Sequence, residues 1–348
     1  MILEISTKRR LEIKEAVYNT LLLYGTPILP VKIGAIIRNI KYIKLITYSS
    51  QIKKHGIPYE ELIFNAETKD SYAVRQGSTG RFCIYYNDID HNIVSSNRVR
   101  WNLAHELGHI ILNHHETIGV NKLYRGLDND TYVYLEKEAD YFAALLLVPH
   151  AAISGFKITH HNHIRYLCKI SEPAAKRRFW EYKEWRAHVD GNDAYDQRIF
   201  SYYFNFIYKR NCKVCGASLI QRYGKHCPIC GSKNTLEWGD GKMIYDKLDS
   251  RNGKVKICPV CHNEETEIEG DYCQICGISL RNKCSDYRCD NNDTLPTNAR
   301  FCPICGSVST FYNADILQAW NKYIAEPFSN VPDEQVDYSS VPLEGLPF

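Results

Sequence analysis

A chain of 348 residues with 44% hydrophobic residues has ordinary globular composition and predicts two or three domains. Its net charge of +3 is too small to indicate nucleic-acid binding by itself. No long apolar run occurs, and the N-terminal MILEISTKRRLEIKEAV carries charges where a signal peptide needs an apolar core. We therefore expect a cytoplasmic protein without a membrane span.

The N-terminal third predicts short helices and strands. Apolar spacing places helices at residues 8–24 and 30–40 and a strand at 41–49. Segments 71–74 and 81–87 flank a glycine-rich turn and predict a hairpin. The edge of such a hairpin serves either to pair with an extended peptide or to pack in the sheet, and the sequence leaves both open.

A histidine motif lies in the next predicted helix, residues 99–112. Its sequence H-E-L-G-H places His105 and His109 four residues apart on one helical face, where two imidazoles can bind one Zn²⁺. Glu106 points off that face. We interpret Glu106 as the catalytic base that takes a proton from the attacking water.

A catalytic zinc needs a third protein ligand, and the sequence offers two candidates. His115 lies six residues after His109, but Leu112 stands where a chain-turning glycine is required, so we expect the helix to continue and carry His115 away. Glu136 and Asp140 lie four residues apart beside the apolar stripe of another helix. We predict that Glu136 binds the metal and that Asp140 accepts a hydrogen bond from a ligand histidine.

The segments HELGH and EKEADYFAALLLVP together resemble the ImmA/IrrE family of zinc metallopeptidases, known from mobile elements and stress-response systems. The resemblance covers about residues 10–190. It implies Glu136 as third ligand, as in thermolysin-like gluzincins. It also implies an α+β, gluzincin-like domain with a small antiparallel sheet, and a substrate among helix-turn-helix repressors of the XRE type.

Other residues near these motifs have weaker assignments. Glu138 lies about 200° around its helix from Glu136, so we expect it in solvent. The residue that stabilises the oxyanion is unassigned, and the candidates are His160, His161, His163 and Tyr141.

The stretch after Pro149 predicts a helix-turn-helix-like pair that ends near residue 185. Its basic run, Lys176, Arg177 and Arg178, would contact phosphates in a DNA-reading protein. We favour a solvated helix face instead. Residues 191–210 follow as an aromatic-rich helical linker.

Twelve of the fourteen cysteines lie between residues 212 and 305, which in a cytosolic chain indicates metal binding rather than disulfides. They form three units of four thiolates, and each unit is enough to close a tetrahedral structural zinc site. The alternative register joins the second pair of the first unit to the first pair of the second. We prefer sequential pairing, because short loops close at lower entropic cost. The three units are Cys212, Cys215, Cys227 and Cys230; Cys258, Cys261, Cys273 and Cys276; and Cys284, Cys289, Cys302 and Cys305.

The sequence thus predicts four regions: a metallopeptidase domain at 1–190, the linker at 191–210, zinc ribbons of the double-zinc-ribbon kind at 211–310, and a short helix with a mobile tail at 311–348. We expect one catalytic and three structural zinc ions and a protein substrate. The ribbons favour protein docking slightly over nucleic acid. The rival hypothesis is a zinc-ribbon regulator whose peptidase-like domain acts only by binding.

Overall fold

A computed structural model of the protein describes residues 4–94, 97–119, 121–122, 129–188, 193–322 and 326–327. The chain divides into two compact units, one ending at Ile207 and the other beginning at Tyr208. Among the described residues, no helix has the length and apolar character needed to cross a membrane.

The first unit is α+β and mostly helical. Its three strands are β1 (Ile43–Thr47), β2 (Ser71–Arg75) and β3 (Phe82–Tyr86). Its helices are α1 (Thr7–Tyr24), α2 (Ile33–Asn39), α3 (Tyr48–His55), α4 (Tyr59–Ala66), α5 (His91–Val94), α6 (Arg98–Ile111), α7 (His114–Ile118), α8 (Asn129–Leu147), α9 (His150–Ile153), α10 (His161–Cys168), α11 (Glu172–His188), α12 (Ala194–Tyr202) and α13 (Phe204–Tyr208).

The sheet of this unit has the strand order β1-β3-β2. The predicted hairpin is confirmed, since β2 and β3 pair antiparallel with Ser71 opposite Tyr86. The sheet is nevertheless mixed rather than purely antiparallel, because β1 pairs parallel with β3. The helices α3 and α4 separate β1 from the hairpin along the chain, so β1 need not join it by a tight turn.

Helices α6 and α8 pack against each other through apolar faces and position the site. Leu103, Leu107 and Ile110 of α6 are buried, as are Ala139 and Phe142 of α8. The contact is closest at Gly108, where an added Cβ would lie 3.2 Å from the Ala139 Cα and 3.2 Å from the Phe142 ring. A glycine here lets the two backbones approach closely.

The helix that carries the histidine motif does not continue past Leu112, so that prediction is wrong. Leu112 keeps a negative φ of −84°, but Asn113 takes φ +58° and ends α6. Asparagine tolerates the left-handed region far better than leucine does. The turn therefore comes one residue later than the position we considered, and α7 begins at His114.

The helices α10 and α11 form the expected pair, but its basic run is not a row of free cations. Lys176 bonds Glu172 at 2.7 Å and Arg177 bonds Glu181 at 3.1 Å. Arg178 is buried and donates to the Val148 carbonyl, so it is no phosphate contact.

Helix α12 lies in the region predicted as a linker, and it packs on α1 and α9 within the first unit.

The second unit is built from short strands around the cysteines. They are β4 (Lys209–Cys212), β5 (Ser218–Ile220), β6 (Leu236–Trp238), β7 (Met243–Ile244), β8 (Ser250–Arg251), β9 (Lys254–Val255) and β10 (Glu326–Pro327). We expect the short helix of the C-terminal region at residues 314–325. That prediction is wrong over the described part, because α14 (Thr310–Asn313) ends before Asp315, which has φ +55°. The predicted mobile tail lies outside the described residues, apart from β10.

The close contact at Gly108 predicts the effect of a side chain there. We expect Gly108→Val to destabilise the first unit by about 1–3 kcal/mol, the usual cost of overpacking, because the nearest atom is backbone and cannot rotate away. Thermal unfolding measures this change. Ala187→Val on the exposed face of α11 is the control and should cost only a few tenths of a kcal/mol. Equal melting temperatures for the two variants would contradict the packing argument.

Candidate active site and metal centres

Three donor atoms from α6 and α8 converge in the first unit. The Nε2 atoms of His105 and His109 lie 3.0 Å apart. The Glu136 carboxylate faces both nitrogens, with Oε2 3.3 Å from Nε2 of His105 and Oε1 3.3 Å from Nε2 of His109. The predicted ligands His105, His109 and Glu136 are thus brought together by one turn of α6 facing one carboxylate of α8.

The spacing of these donors fits a small tetrahedral cation. Bonds of about 2.0–2.1 Å from zinc to nitrogen or oxygen place neighbouring ligand atoms roughly 3.3 Å apart. The two imidazole nitrogens lie 3.0 Å apart, and each lies 3.3 Å from a different oxygen of the Glu136 carboxylate. Two imidazole nitrogens that face each other at this distance need a proton or a cation between them, because their lone pairs repel. The donor set therefore fits Zn²⁺.

Burial and charge act on the protonation of these ligands in different directions. Burial lowers the pKa of His109 to about 4, which favours the neutral ring that binds metal. Burial also lowers the pKa of His105, but hydrogen bonds to Asp140 and Glu136 outweigh it and raise that pKa to about 10. Burial raises the pKa of Glu136, and its hydrogen bonds to both histidines reverse this and hold it well below its usual range. A proton therefore competes with a metal for His105.

Glu106 lies beside the donors without joining them. Its carboxylate accepts a hydrogen bond from the Ser71 hydroxyl at 3.0 Å. Burial raises its pKa, although the nearby His105 and the Ser71 hydroxyl oppose the rise. A carboxylate with a raised pKa, held in one orientation by a strand residue, suits the role of general base. Sequence reasoning did not identify Ser71, since nothing in β2 marks it as a partner of α6.

The two histidine ligands are held by different partners. The Nδ1 of His105 lies 3.0 Å from Asp140, as predicted, and that carboxylate is 56% exposed. The Nδ1 of His109 lies 2.9 Å from Nδ1 of His114 instead. The first imidazole is thus held by a carboxylate in solvent and the second by another imidazole in the interior.

The prediction that Glu138 lies in solvent is wrong, because its side chain is 2% exposed. One oxygen lies 3.0 Å from Nε2 of His114, and Arg9 of α1 donates to both oxygens at 2.7 Å. Burial raises the pKa of Glu138, but its hydrogen bonds to Arg9 and His114 lower it to about 2. The predicted rotation away from Glu136 therefore directs Glu138 towards α1 and α7 rather than towards water.

His115 is buried but is not among the donors. Its Nε2 lies 3.4 Å from the Ala73 carbonyl oxygen of β2, and its ring packs edge-on to Phe82. The prediction that His115 stays out of the ligand set therefore agrees with the structure. The reason differs, since the turn at Asn113 rather than a longer helix directs it towards the sheet.

The site opens into a cleft of about 590 Å³, lined by β2, α6 and α8. Its lining includes Trp101, Asn102 and Tyr132 as well as the donors and Glu106. The four oxyanion candidates are not among the described residues that line it. His160, His161 and His163 lie on or next to α10, and Tyr141 packs under Arg10. Tyr132, one helical turn before Glu136, is the described tyrosine of α8 that reaches the cleft.

The outer edge of β2 faces this cleft, and part of that edge is already paired. The Ala73 N–H bonds Glu106, and the Ala73 carbonyl faces His115. The Arg75 N–H donates to the Asn121 carbonyl at 2.7 Å. An extended peptide can therefore pair with β2 only near Ser71, which limits the strand-addition interpretation.

Comparison with known proteins agrees with this geometry. Residues 52–179 match the family model of the IrrE N-terminal-like domain, Peptidase_M78. The match confirms the resemblance predicted from HELGH and the acidic helix, and it supports a metallopeptidase-like role for this segment. It begins in α3 and ends in α11, so α1 lies outside it. No curated protein and no solved structure matches the chain.

The second unit, unlike the IrrE-like domain, holds its donors in three closed sets. The cysteines group sequentially, as preferred, into three clusters of four. Facing sulfurs lie 3.7 Å apart in the first cluster, 3.5–3.6 Å in the second and 3.5–3.9 Å in the third. Zinc–sulfur bonds of about 2.3 Å place tetrahedral sulfurs roughly 3.8 Å apart. The three clusters fit tandem zinc ribbons.

The ribbon turns show why a permissive residue follows each C-x-x-C pair. Gly216 takes φ +70° directly after Cys215. The corresponding position after Cys261 is His262, which takes φ +58°. The turn therefore requires the left-handed conformation at this position, which histidine tolerates better than most residues other than glycine.

The donor sets predict the metal content of the chain. We expect four zinc ions per fully loaded chain, one in the IrrE-like domain and three in the ribbons. Elemental analysis against protein concentration measures this ratio. His105→Ala should lower it to three while the ribbons stay folded, and a wild-type ratio of three or less would contradict the assignment.

The third ligand is tested by a matched pair of variants. Glu136→Ala should weaken zinc binding by more than the roughly 10–100-fold that loss of a partner outside the ligand set causes. His115→Ala should leave the affinity nearly unchanged, because its ring bonds β2 rather than the donors. Chelator competition gives both affinities. The opposite order of effects would overturn the ligand set.

Proposed function

We propose that the protein is a zinc-dependent endopeptidase that cleaves a helix-turn-helix repressor of the XRE type or a similar regulatory protein. The observation that carries the proposal is the arrangement of Glu106 beside three metal donors at the wall of an open cleft. A set of three protein ligands leaves a tetrahedral position free, which is typical of catalytic rather than structural zinc sites.

The side chains around the donors suit peptide hydrolysis. Zinc bound there supplies a Lewis acid that polarises a carbonyl oxygen and acidifies a water molecule. Glu106, with its pKa raised by burial, accepts the proton of the attacking water and returns it to the leaving amine. The Ser71 hydroxyl keeps the Glu106 carboxylate in one orientation throughout.

The cleft supports a basic protein segment as substrate. Carboxylates outnumber cations among the described residues that line it, where Glu67, Asp70, Glu106, Glu136 and Asp140 face Lys122. Asp140 is more than half exposed and carries its charge to the rim. Repressors that read DNA present basic segments to it, and such segments complement an acidic cleft. The family resemblance implies the same substrate class.

The ribbons fit a substrate-docking role better than a nucleic-acid role. Two basic residues of this region are paired, Lys209 with Asp240 and Lys213 with Glu237. The Arg222 guanidinium lies 4.8 Å from the centre of the Tyr223 ring. Cations held in this way contribute less to a phosphate-binding surface.

The decisive variant is Glu106→Gln, which keeps the side-chain shape and removes the base. We expect it to keep its zinc, to bind the substrate and to lose cleavage by at least about 100-fold, the lower end of what general-base catalysis contributes. The assay incubates zinc-loaded protein with the helix-turn-helix protein encoded nearest to its gene and follows new N-termini by mass spectrometry. Addition of a chelator provides a second inactive control.

The same experiment separates the two functional hypotheses. Cleavage by wild type and not by Glu106→Gln supports the peptidase. Equal cleavage by both would refute Glu106 as base. Binding without cleavage by either protein would instead support a regulator that acts by binding.

A further inference from the structure

A buried chain of polar contacts runs from the metal donors to the N-terminal helix. From His109 it passes to His114 at 2.9 Å, to Glu138 at 3.0 Å, and to Arg9 at 2.7 Å through two parallel hydrogen bonds. The side chains of His109, His114 and Glu138 are 3%, 1% and 2% exposed. The proposed hydrolysis does not use His114, Glu138 or Arg9 directly, although His114 contacts the ligand His109.

With His114 as a neutral imidazole, the order of donors and acceptors along this chain fixes every proton in it. Arg9 only donates, so the Glu138 carboxylate is ionised and accepts at both oxygens. His114 must then donate from Nε2 to Glu138, which leaves its Nδ1 as an acceptor. His109 must in turn donate from Nδ1, which leaves its Nε2 lone pair free towards the other donors. The chain therefore selects the tautomer of His109 that binds a metal through Nε2.

Two local features bring His114 into this position. Asn113 takes φ +58°, which ends α6 and turns the first residue of α7 back under the last turn of α6. Glu138 lies on α8 two residues after Glu136 and points to the opposite side of that helix, where α1 covers it. Helix α8 thus supplies one carboxylate, Glu136, to the metal donors and a second carboxylate, Glu138, to the histidine behind them.

A purely structural ion pair would look different. Arg9 and Glu138 alone would join α1 to α8, and such a pair has no need of an imidazole between it and a ligand. Here His114 lies between the pair and His109, and it connects them at hydrogen-bond distance. The usual partner of a ligand histidine is a carboxylate, a carbonyl or water, and His105 follows that pattern with Asp140.

We propose that His114, Glu138 and Arg9 are positioning residues that hold His109 in its metal-binding tautomer, so that α1 forms part of the metal centre although it lies outside the matched family segment. This inference rests on the proposed function, because it concerns the metal site on which the peptidase depends. It assigns a role to a helix that the peptidase motifs do not include.

The test measures zinc affinity and stability together, without any substrate. Glu138→Gln reverses the constraint, because an amide can donate to His114 and permit the other tautomer. We expect its affinity at the His105–His109–Glu136 site to fall about 10–100-fold, as for other partners of ligand histidines. His114→Phe removes the acceptor, and its zinc affinity should fall as far. His114→Gln keeps an acceptor oxygen, so its affinity should recover part of the loss.

Arg9 has a matched control in its neighbour. Arg9→Met should weaken zinc binding less than Glu138→Gln does, since the Glu138–His114 contact remains, and Arg9→Lys should restore part of it. Arg10 lies in the same turn of α1 but donates to the Ile5 carbonyl, so Arg10→Met should leave the zinc affinity unchanged. Ring-nitrogen NMR of ¹⁵N-histidine-labelled protein should show protonated Nδ1 on His109 in wild type and a mixture in Glu138→Gln.

The outcomes separate this inference from the proposed function. Lower melting temperatures with unchanged zinc affinity in Glu138→Gln and His114→Phe would reduce the chain of contacts to a structural pair and overturn the inference. A wild-type protein that binds only three zinc ions would also overturn it. If affinity depends on these residues but wild type cleaves nothing, the inference stands and the proposed function fails.

Discussion

The close crossing of α6 and α8 is the constraint on which the site depends. Gly108 lies between the two histidines of the motif, and its missing side chain lets the Ala139 backbone approach. At that separation a carboxylate one turn earlier on α8 reaches both imidazoles. The glycine in HELGH therefore belongs to the geometry of the donors as much as the histidines do. The apolar faces on both helices stabilise this crossing.

The sequence predicts those parts of the site that rest on helical period. Residues four apart share a face, which was enough to group His105 with His109 and Glu136 with Asp140. The same argument failed for Glu138, since helical period gives the direction of a side chain from its helix and not which other element packs over it. Burial of Glu138 depends on α1, whose Arg9 is 129 residues away in sequence. His114 was missed for a related reason: a single left-handed residue, Asn113, redirects the chain, and sequence gives only a preference for that conformation.

The ribbons were predictable to a greater extent because their determinants are local. Pairs of cysteines two residues apart and short intervening loops favour sequential closure, and the structure has that register. What local pattern does not give is the packing between ribbons, where the Arg300 N–H donates to the Pro228 carbonyl and Gly224 lies against Pro303. Local pattern also does not give the mixed strand order of the first sheet, since the parallel pairing of β1 with β3 involves residues about forty apart.

The two kinds of donor set have different roles: the four-cysteine sets serve folding, and the three-donor set serves chemistry. Four thiolates complete a tetrahedron, so a metal in the ribbons contributes to folding and has no position left for a reactant. These ribbons need that contribution, because their buried clusters contain only six and five residues, of which three and two are cysteines. The first unit has an independent core that includes Ile13, Val17 and Leu21 of α1. The three donors that would hold a metal there lie with Glu106 in the wall of the cleft. The helix that contributes to this core also carries Arg9, so stability and ligand orientation meet in α1.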